Sequence, residues 1–331
     1  LVAENRRRGR EQPEYELIDT GVFADDRYFD VEVEYAKVAP NDLLIRISAT
    51  NRGPDTAPLH LLPTLWFRNT WAWGSDDRRP ELRAVPSPGT ARTGTKTRGG
   101  RLVQASHHEL GDFWLVCQGN PDLLFTENES NAQRLWGGTN RSPYVKDGIG
   151  ETVVTGQSGA VNPDEVGTKA AAHYLFQIAP GATETVLLRL VSERNASPFT
   201  DAEQIFADRI AEADGFYAAL AQGRLTDDEA RVQRQALAGL IWSKQVFNFD
   251  VGQWLDGDPA GPPLPEARKY GRNSQWRHHN SSDVISMPDK WEYPWYAAWD
   301  LAFHCIAFGL VRLLGPRLPQ ALAQLHLVGE P

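Results

Sequence analysis

The chain has 331 residues, which at about 150 residues per domain implies roughly two domains. Its 34 Lys and Arg against 43 Asp and Glu leave a formal charge of −9, which excludes the basic surface that nucleic acid or an anionic membrane demands. With 41% hydrophobic and 23% charged residues it has globular rather than disordered usage, and no apolar run reaches the roughly 18 residues of a transmembrane helix.

Residues 15–190 read as strands. Val31, Val33 and Tyr35 alternate with Glu32 and Glu34, the period of two of a strand. Ala39-Pro40-Asn41-Asp42 is turn chemistry, and residues 44–48 return as the second arm of a hairpin. Asn51-Arg52-Gly53-Pro54 breaks that arm, and residues 61–67 form another apolar run. Residues 75–100, rich in Arg, Pro, Gly and Thr, read as one long loop. Residues 113–117 are a buried strand. Residues 174–178 and 185–190 flank Pro180-Gly181 and read as a second hairpin. Many short strands with turn signals predict an antiparallel β-sandwich over residues 1–195.

The period changes near Thr200. Thr200-Asp201-Ala202-Glu203 is a capping box, followed at helical spacing by Ile205, Phe206, Ile210 and Phe216 and closed by Gly223. Thr226-Asp227-Asp228-Glu229 is a second box, leading to Val232, Leu237, Leu240 and Ile241 on one face. Residues 196–250 are thus linker helices. Residues 250–292, with Pro259, Pro262, Pro263, Pro265 and Pro288, return to loop. A last helix starts about Pro294, a residue suited to the first helical position, and runs to about Leu310. Residues 312–331 form an atypical tail broken by Pro316, Pro319 and Pro331. With Leu1 at its start and this tail at its end, the chain reads as a fragment.

Cys117 and Cys305 make no disulfide scaffold, so a reducing compartment is the default, and no apolar core of a signal peptide precedes the first strand. A cytoplasmic location follows as an expectation. Eleven tryptophans against one methionine fit two readings, stacking on the flat faces of sugar rings or a Trp-rich β core. Several motifs fail. His108-Glu109 lacks the second histidine of a zinc protease, since position 112 is Asp. Gly156-Gln157-Ser158-Gly159 lacks the spacing of a nucleophile elbow. Asp256-Gly257-Asp258 opens like a calcium loop, but Ala260 stands where the third ligand belongs. No phosphate-cradling glycine loop is present, so no metal and no cofactor is expected.

The chemistry concentrates in residues 287–304, MPDKWEYPWYAAWDLAFH. Trp291, Tyr293, Trp295, Tyr296 and Trp299 crowd one acid, Asp300. On a helix Tyr296, Asp300 and His304 share a face, four residues apart. Aromatic rings desolvate a carboxyl and favour its protonated form, which suits a general acid that protonates a glycosidic oxygen. The same residues also fit a structural Asp bonded to a neighbouring donor.

WEYPWYAAWDLAFH resembles the signature of glycoside hydrolase family 63, and residues 272–290 look like a bacterial branch of it, akin to processing α-glucosidases and mannosylglycerate hydrolases. Residues 17–71, 125–148 and 167–173 look like that branch's β domain. The resemblance implies an antiparallel β-supersandwich, linker helices, and, in residues 251–331, the start of an incomplete (α/α)6 catalytic barrel. It implies a bacterial, cytoplasmic hydrolase of α-glycosidic bonds that works with inversion and takes a carbohydrate as its partner. Asp300 would be the general acid. A second carboxylate roughly 6.5–9.5 Å away would activate water, and in this family it comes from later in the barrel, beyond residue 331. Glu292 belongs to the acid-side motif and is not taken as the base. Trp291, Tyr293, Trp295 and Trp299 would contact sugar, Lys290 would bind its hydroxyls, and His304 would bond Asp300 or substrate, or else only pack and satisfy a local carbonyl. The stretches 126–129 and 144–147 would face the barrel mouth or serve as ordinary turns. The competing reading is a non-catalytic β-sandwich that binds carbohydrate. A sugar phosphorylase would need a phosphate site, for which no residues stand out. The last helix is expected to expose an apolar face, favouring self-association.

Overall fold

Alternating residues and tight turns build the first part of the chain into two facing antiparallel sheets. The computed structural model describes residues 1–73, 78–86, 100–194, 197–221, 225–259, 261–287, 293 and 295–314. The chain divides into two units, Leu1–Trp71 with Asp76–Ala202, and Ala72–Ser75 with Glu203–Pro331.

The first unit opens with a short helix, α1 (Val2–Arg7), before the expected hairpin of β1 (Phe29–Ala39) and β2 (Asp42–Asn51). Then follow β3 (Ala57–Leu61), β4 (Thr64–Trp66), β5 (Glu81–Val85), β6 (Arg101–His107), β7 (Gly111–Cys117) and β8 (Asp122–Thr126). Two short helices, α2 (Ala132–Trp136) and α3 (Gly148–Thr155), precede β9 (Val166–Gly167), β10 (Lys169–Ile178) and β11 (Thr183–Val191). Among the described residues one sheet has the order β1-β2-β11-β7-β6-β5-β9. In the other, β10 is flanked by β3 and β4 along one edge and by β8 along the opposite edge. Ile47, Leu82, Val103, Leu115, Cys117 and Leu188 from the larger sheet meet Leu123, Phe125, Ala170, Ala172 and Tyr174 from the smaller one in a single core.

Two sequence expectations for the first unit need correction. Residues 174–178 and 185–190 do not form a hairpin: β10 pairs with β3, β4 and β8, whereas β11 pairs with β2 and β7. The turn between them carries the chain from one sheet to the other. Gly181 takes the left-handed conformation there (φ 69°), which glycine adopts without a Cβ penalty. Asn51, at the end of β2 where the chain makes its earlier crossing, binds the turn. Its amide N–H donates to Ala182 O (3.0 Å), its carbonyl accepts from Gly181 N (2.9 Å), and its Nδ2 donates to Ile178 O (2.8 Å) and Asp55 O (2.8 Å). Both crossings are thus held by one buried amide side chain.

The stretch 75–100 is not a single loop, because its residues 81–85 are β5, with Leu82 fully buried between β6 and β9. Residues 74–77 and 87–99 lie outside the described residues. The stripe Val31, Val33, Tyr35 does share the core-facing side with Ile47 and Ile45 through the β1–β2 register, yet all three stay exposed. The smaller sheet has fewer strands and leaves β1 uncovered.

In the second unit, α4 (Ala202–Ala221) and α5 (Asp227–Trp242) are the two expected helices. The second capping box is complete: Thr226 Oγ1 accepts the Glu229 N–H, and the Glu229 carboxylate accepts the Thr226 N–H at 2.8 Å. Leu237 packs with Phe216, Tyr217 and Leu220, while Val232 faces solvent, so the apolar face is narrower than its spacing predicts. The region 250–292, expected to be loop, instead holds ordered elements. β12 (Lys244–Asp250) pairs antiparallel with β13 (Asn280–Ser286), and α6 (Val251–Asp256) lies in the connection, its N-terminus capped by the Asp250 carboxylate on Gln253 N. The last helix, α7, spans Ala298–Leu314 rather than 294–310.

Candidate functional site

The segment that leads into α7 is folded back by hydrophobic contact. Ile285 and Met287, at the end of β13, and Ala297 form a buried cluster against which Phe247, Tyr293 and Leu301 pack. Anchoring Ala297 sets the helix start, and its carbonyl accepts the Leu301 N–H at 3.1 Å. Tyr296 therefore precedes the helix. It does not share a face with Asp300 and His304 as its spacing predicts, but meets Phe247 edge-on at 5.5 Å.

Asp300 lies in the first turn of α7, where the helix dipole favours a carboxylate. It is half-buried, and among the described residues no side chain or backbone group bonds its carboxylate. His304 stands one turn later on the same face. Its Nδ1 lies 2.9 Å from the hydroxyl of Ser286 on β13, a buried side chain. Tyr293 and Trp295 contact each other at 5.9 Å with tilted rings. Trp295 and Trp299 present their faces to solvent, Trp299 with 78% of its surface exposed. Phe303 and Ile306 continue this apolar stripe along the helix. Lys290 and Trp291 lie outside the described residues. The structure thus brings Asp300 and His304 onto one face, with Trp299 beside them in sequence, and it adds Ser286, which no sequence motif marked.

In the first unit, a dense polar network gathers around residues 126–129. Glu127 and Glu129 are both buried. Thr168 Oγ1 donates to Glu127 Oε2 (2.8 Å) and accepts the Asn128 N–H (2.8 Å), and Arg79 forms an ion pair with the Glu127 carboxylate. The Trp71 indole N–H donates to Glu129 Oε1 (2.7 Å). Asn128 Nδ2 donates to Phe67 O (2.8 Å), and Lys146 N donates to Glu129 O (3.0 Å). A buried carboxylate is tolerated only when its lone pairs are engaged, and here Thr168 and Arg79 engage Glu127 while Trp71 engages Glu129. Gly167 makes the approach possible, because a Cβ there would collide with the Thr126 carbonyl. Burial, reinforced by the nearby Lys146 charge, pulls the Lys169 ammonium below its ordinary pKa.

Two of the failed motifs acquire structural explanations. His107, His108 and Glu109 cluster at the turn between β6 and β7. His107 Nδ1 accepts the N–H groups of Glu109 (3.1 Å) and Leu110 (3.3 Å), and the two imidazoles stack at 4.3 Å. His107 thus shapes the turn through its two backbone contacts, and His108 Nε2 lies 3.4 Å from the Glu109 carboxylate. Asp256 of the calcium-like triplet is engaged by Arg277 at 2.5 Å, and that guanidinium holds its carboxyl below the usual range.

No family model matches the chain. It is 36% identical over 354 aligned positions to the uncharacterized protein YMR196W of Saccharomyces cerevisiae, an alignment covering 94% of this chain and 32% of that protein. The chain therefore spans about a third of the length of this relative. Among solved structures, a proposed aldose 1-epimerase of Escherichia coli K12 aligns with a TM-score of 0.23 and 9% identity over 50% of this chain and 60% of its own. A proposed kojibiose phosphorylase from the human microbiome aligns with a TM-score of 0.25 and 9% identity over 70% of this chain and 23% of its own. Scores at this level do not establish a shared fold. No described helix is long and apolar enough to cross a membrane.

Proposed function

We propose that this chain carries the acid half of an inverting glycoside hydrolase of the family 63 type, acting on the α-glycosidic bond of an oligosaccharide or small glucoside. The supporting observation is the placement of Asp300. It follows an aromatic run, is half-buried, and keeps its carboxyl free of other groups among the described residues. In this reading Asp300 passes its proton to the glycosidic oxygen, and the bond from the anomeric carbon breaks with its electron pair going to that oxygen. Water adds to the anomeric carbon from the opposite face and yields its proton to a second carboxylate. In this reading that carboxylate faces Asp300 across the bound sugar.

Trp295 and Trp299 supply exposed faces for stacking on sugar, with Tyr293 supporting Trp295, and Lys290 and Trp291 complete the subsite. The first unit is read as the β-supersandwich domain, α4 and α5 as the linker helices, and α7 as an early helix of an (α/α)6 barrel. The test is hydrolysis of a panel of α-glucosides and mannosylglycerate by the full-length protein, with the anomer of the released sugar followed by NMR. Release of the β-anomer is expected. Asp300→Asn should lower the rate by about 10²–10⁴-fold, the usual worth of a general acid. Full activity in Asp300→Asn, or release of the α-anomer, overturns the reading.

A further inference from the structure

Leu61 of β3 and Ala172 and Tyr174 of β10 pack into the sandwich core. Side chains alternate along a strand, so His60 and His173 point the other way, onto the outer face of the smaller sheet. In the β3–β10 ladder His60 lies opposite Leu175, two residues from His173, and such diagonal neighbours are within reach of long side chains. The two imidazoles meet there. His60 Nδ1 lies 2.8 Å from His173 Nε2, and the ring planes are within 14° of each other. One of these nitrogens carries the proton of that bond and the other supplies its lone pair.

The separation has a second meaning. An imidazole nitrogen sits about 2.0–2.1 Å from a bound first-row metal ion. Two such nitrogens at right angles on a square-planar or tetragonal ion are therefore about 2.8–3.0 Å apart, against about 3.3–3.4 Å on a tetrahedral one. The observed distance matches the first arrangement. We propose that His60 and His173 form a two-histidine site for a divalent transition-metal ion of tetragonal preference, copper(II) or nickel(II), which ties β3 to β10. The ion takes the place of the shared proton. Coordinate bonds form from His60 Nδ1 and His173 Nε2, and the displaced proton passes through water to the far nitrogen of the ring that held it, so both rings stay neutral. His60 is exposed and His173 half-buried, which leaves the rings room to tilt until both lone pairs meet an ion just off the N···N line. Burial first, and the His60 charge second, hold His173 below its ordinary pKa, and a neutral ring is the form that binds metal. Asp122, opposite His173 in the β8–β10 ladder, brings a negative charge that offsets that of the ion. The His107 ring is less suited, because its Nδ1 lone pair already accepts two backbone N–H groups. The proposal does not depend on the general-acid reading of Asp300.

Calorimetric titration of the purified chain with copper(II), and separately with nickel(II), reads the affinity, and the copper EPR spectrum counts the imidazole nitrogens. The wild-type spectrum should show two equatorial nitrogens. His60→Gln or His173→Gln should leave one and weaken copper binding by about 10²–10⁴-fold, since the second ring no longer acts at high effective concentration. Copper should raise the thermal midpoint of the wild type and not of these two variants, because the ion binds the folded pair. A chain carrying both His107→Gln and His108→Gln should match the wild type in all three readouts. Copper affinity unchanged in either His60→Gln or His173→Gln overturns the proposal. Loss of the two-nitrogen spectrum in the His107→Gln, His108→Gln chain also overturns it, by placing the ion at the β6–β7 turn.

Discussion

Arg189 offers the sharpest test of how the first unit is held together. Its side chain, on β11, is 4% exposed. Nε and Nη2 donate to the two oxygens of Asp42 at 2.8 and 2.7 Å, and Nη1 donates to Pro198 O at 2.7 Å and to Asp201 Oδ1 at 2.9 Å. One guanidinium thus joins the sheet to the segment that leads into α4, and the Asp42 carboxylate raises its pKa further. Arg189→Met keeps most of the stem volume and removes all four bonds. Stranding one partner of a fully buried pair costs about 3–5 kcal/mol. Asp42 is 22% exposed and Asp201 52% exposed, so water recovers part of that loss, and a half-exposed pair is worth little. The expected net loss is about 2–3 kcal/mol, or a fall in Tm of roughly 4–12 °C for a unit of this size. Urea unfolding followed by tryptophan fluorescence, with m unchanged, is the assay, and Asp201→Asn should lose less than about 1 kcal/mol. If Arg189→Met and Asp42→Asn both leave the midpoint where it was, the ion network does not hold β11 to the 198–201 segment.

Two further outcomes follow from individual residues. Burial pushes the Cys117 thiol up to about 12, whereas Cys305 is exposed on α7. A thiol reagent should therefore modify Cys305 in the native chain and Cys117 only after unfolding, and rapid native labelling at Cys117 would contradict the sandwich core. His173 has its pKa lowered by burial first and by His60 second, with Asp122 opposing both, and its Nε2 lies 2.8 Å from His60 Nδ1. The unfolded chain then binds the proton more readily, so stability falls as pH drops through the ordinary histidine value of about 6.5 and levels off below the lowered folded value. His173→Gln should flatten the stability curve below the ordinary histidine value of about 6.5. An equally steep acid loss in that variant would place the titrating group elsewhere.

The Thr226–Glu229 box could be read from the sequence because both of its bonds close within four residues. The β1–β2 hairpin was equally legible, since Pro40 and Asn41 make the turn and the register follows from it. By the same token, residues 174–190 misled. Pro180-Gly181 does specify a turn, but a turn does not state whether its arms pair or diverge. Asn51 decides that, from a position far away in the chain. β5 was hidden by the polar residues around it, because Leu82 and Ala84 alone carry its inward face. β13 was hidden because its partner β12 lies beyond α6 and a proline-rich stretch.

The candidate site divides in the same way. The spacing of Asp300 and His304, and the aromatic run before them, are properties of a local helix and are visible in the order of residues. By itself the sequence determined that this acid stands near a helix start among tryptophans and tyrosines. Tertiary structure decided where the helix begins, because burying Ala297 against Ile285 and Met287 outweighs the preference of Pro294 for the first helical position. It also decided what His304 bonds, since a hydroxyl on one strand and a ring on a later helix meet only after that cluster has closed.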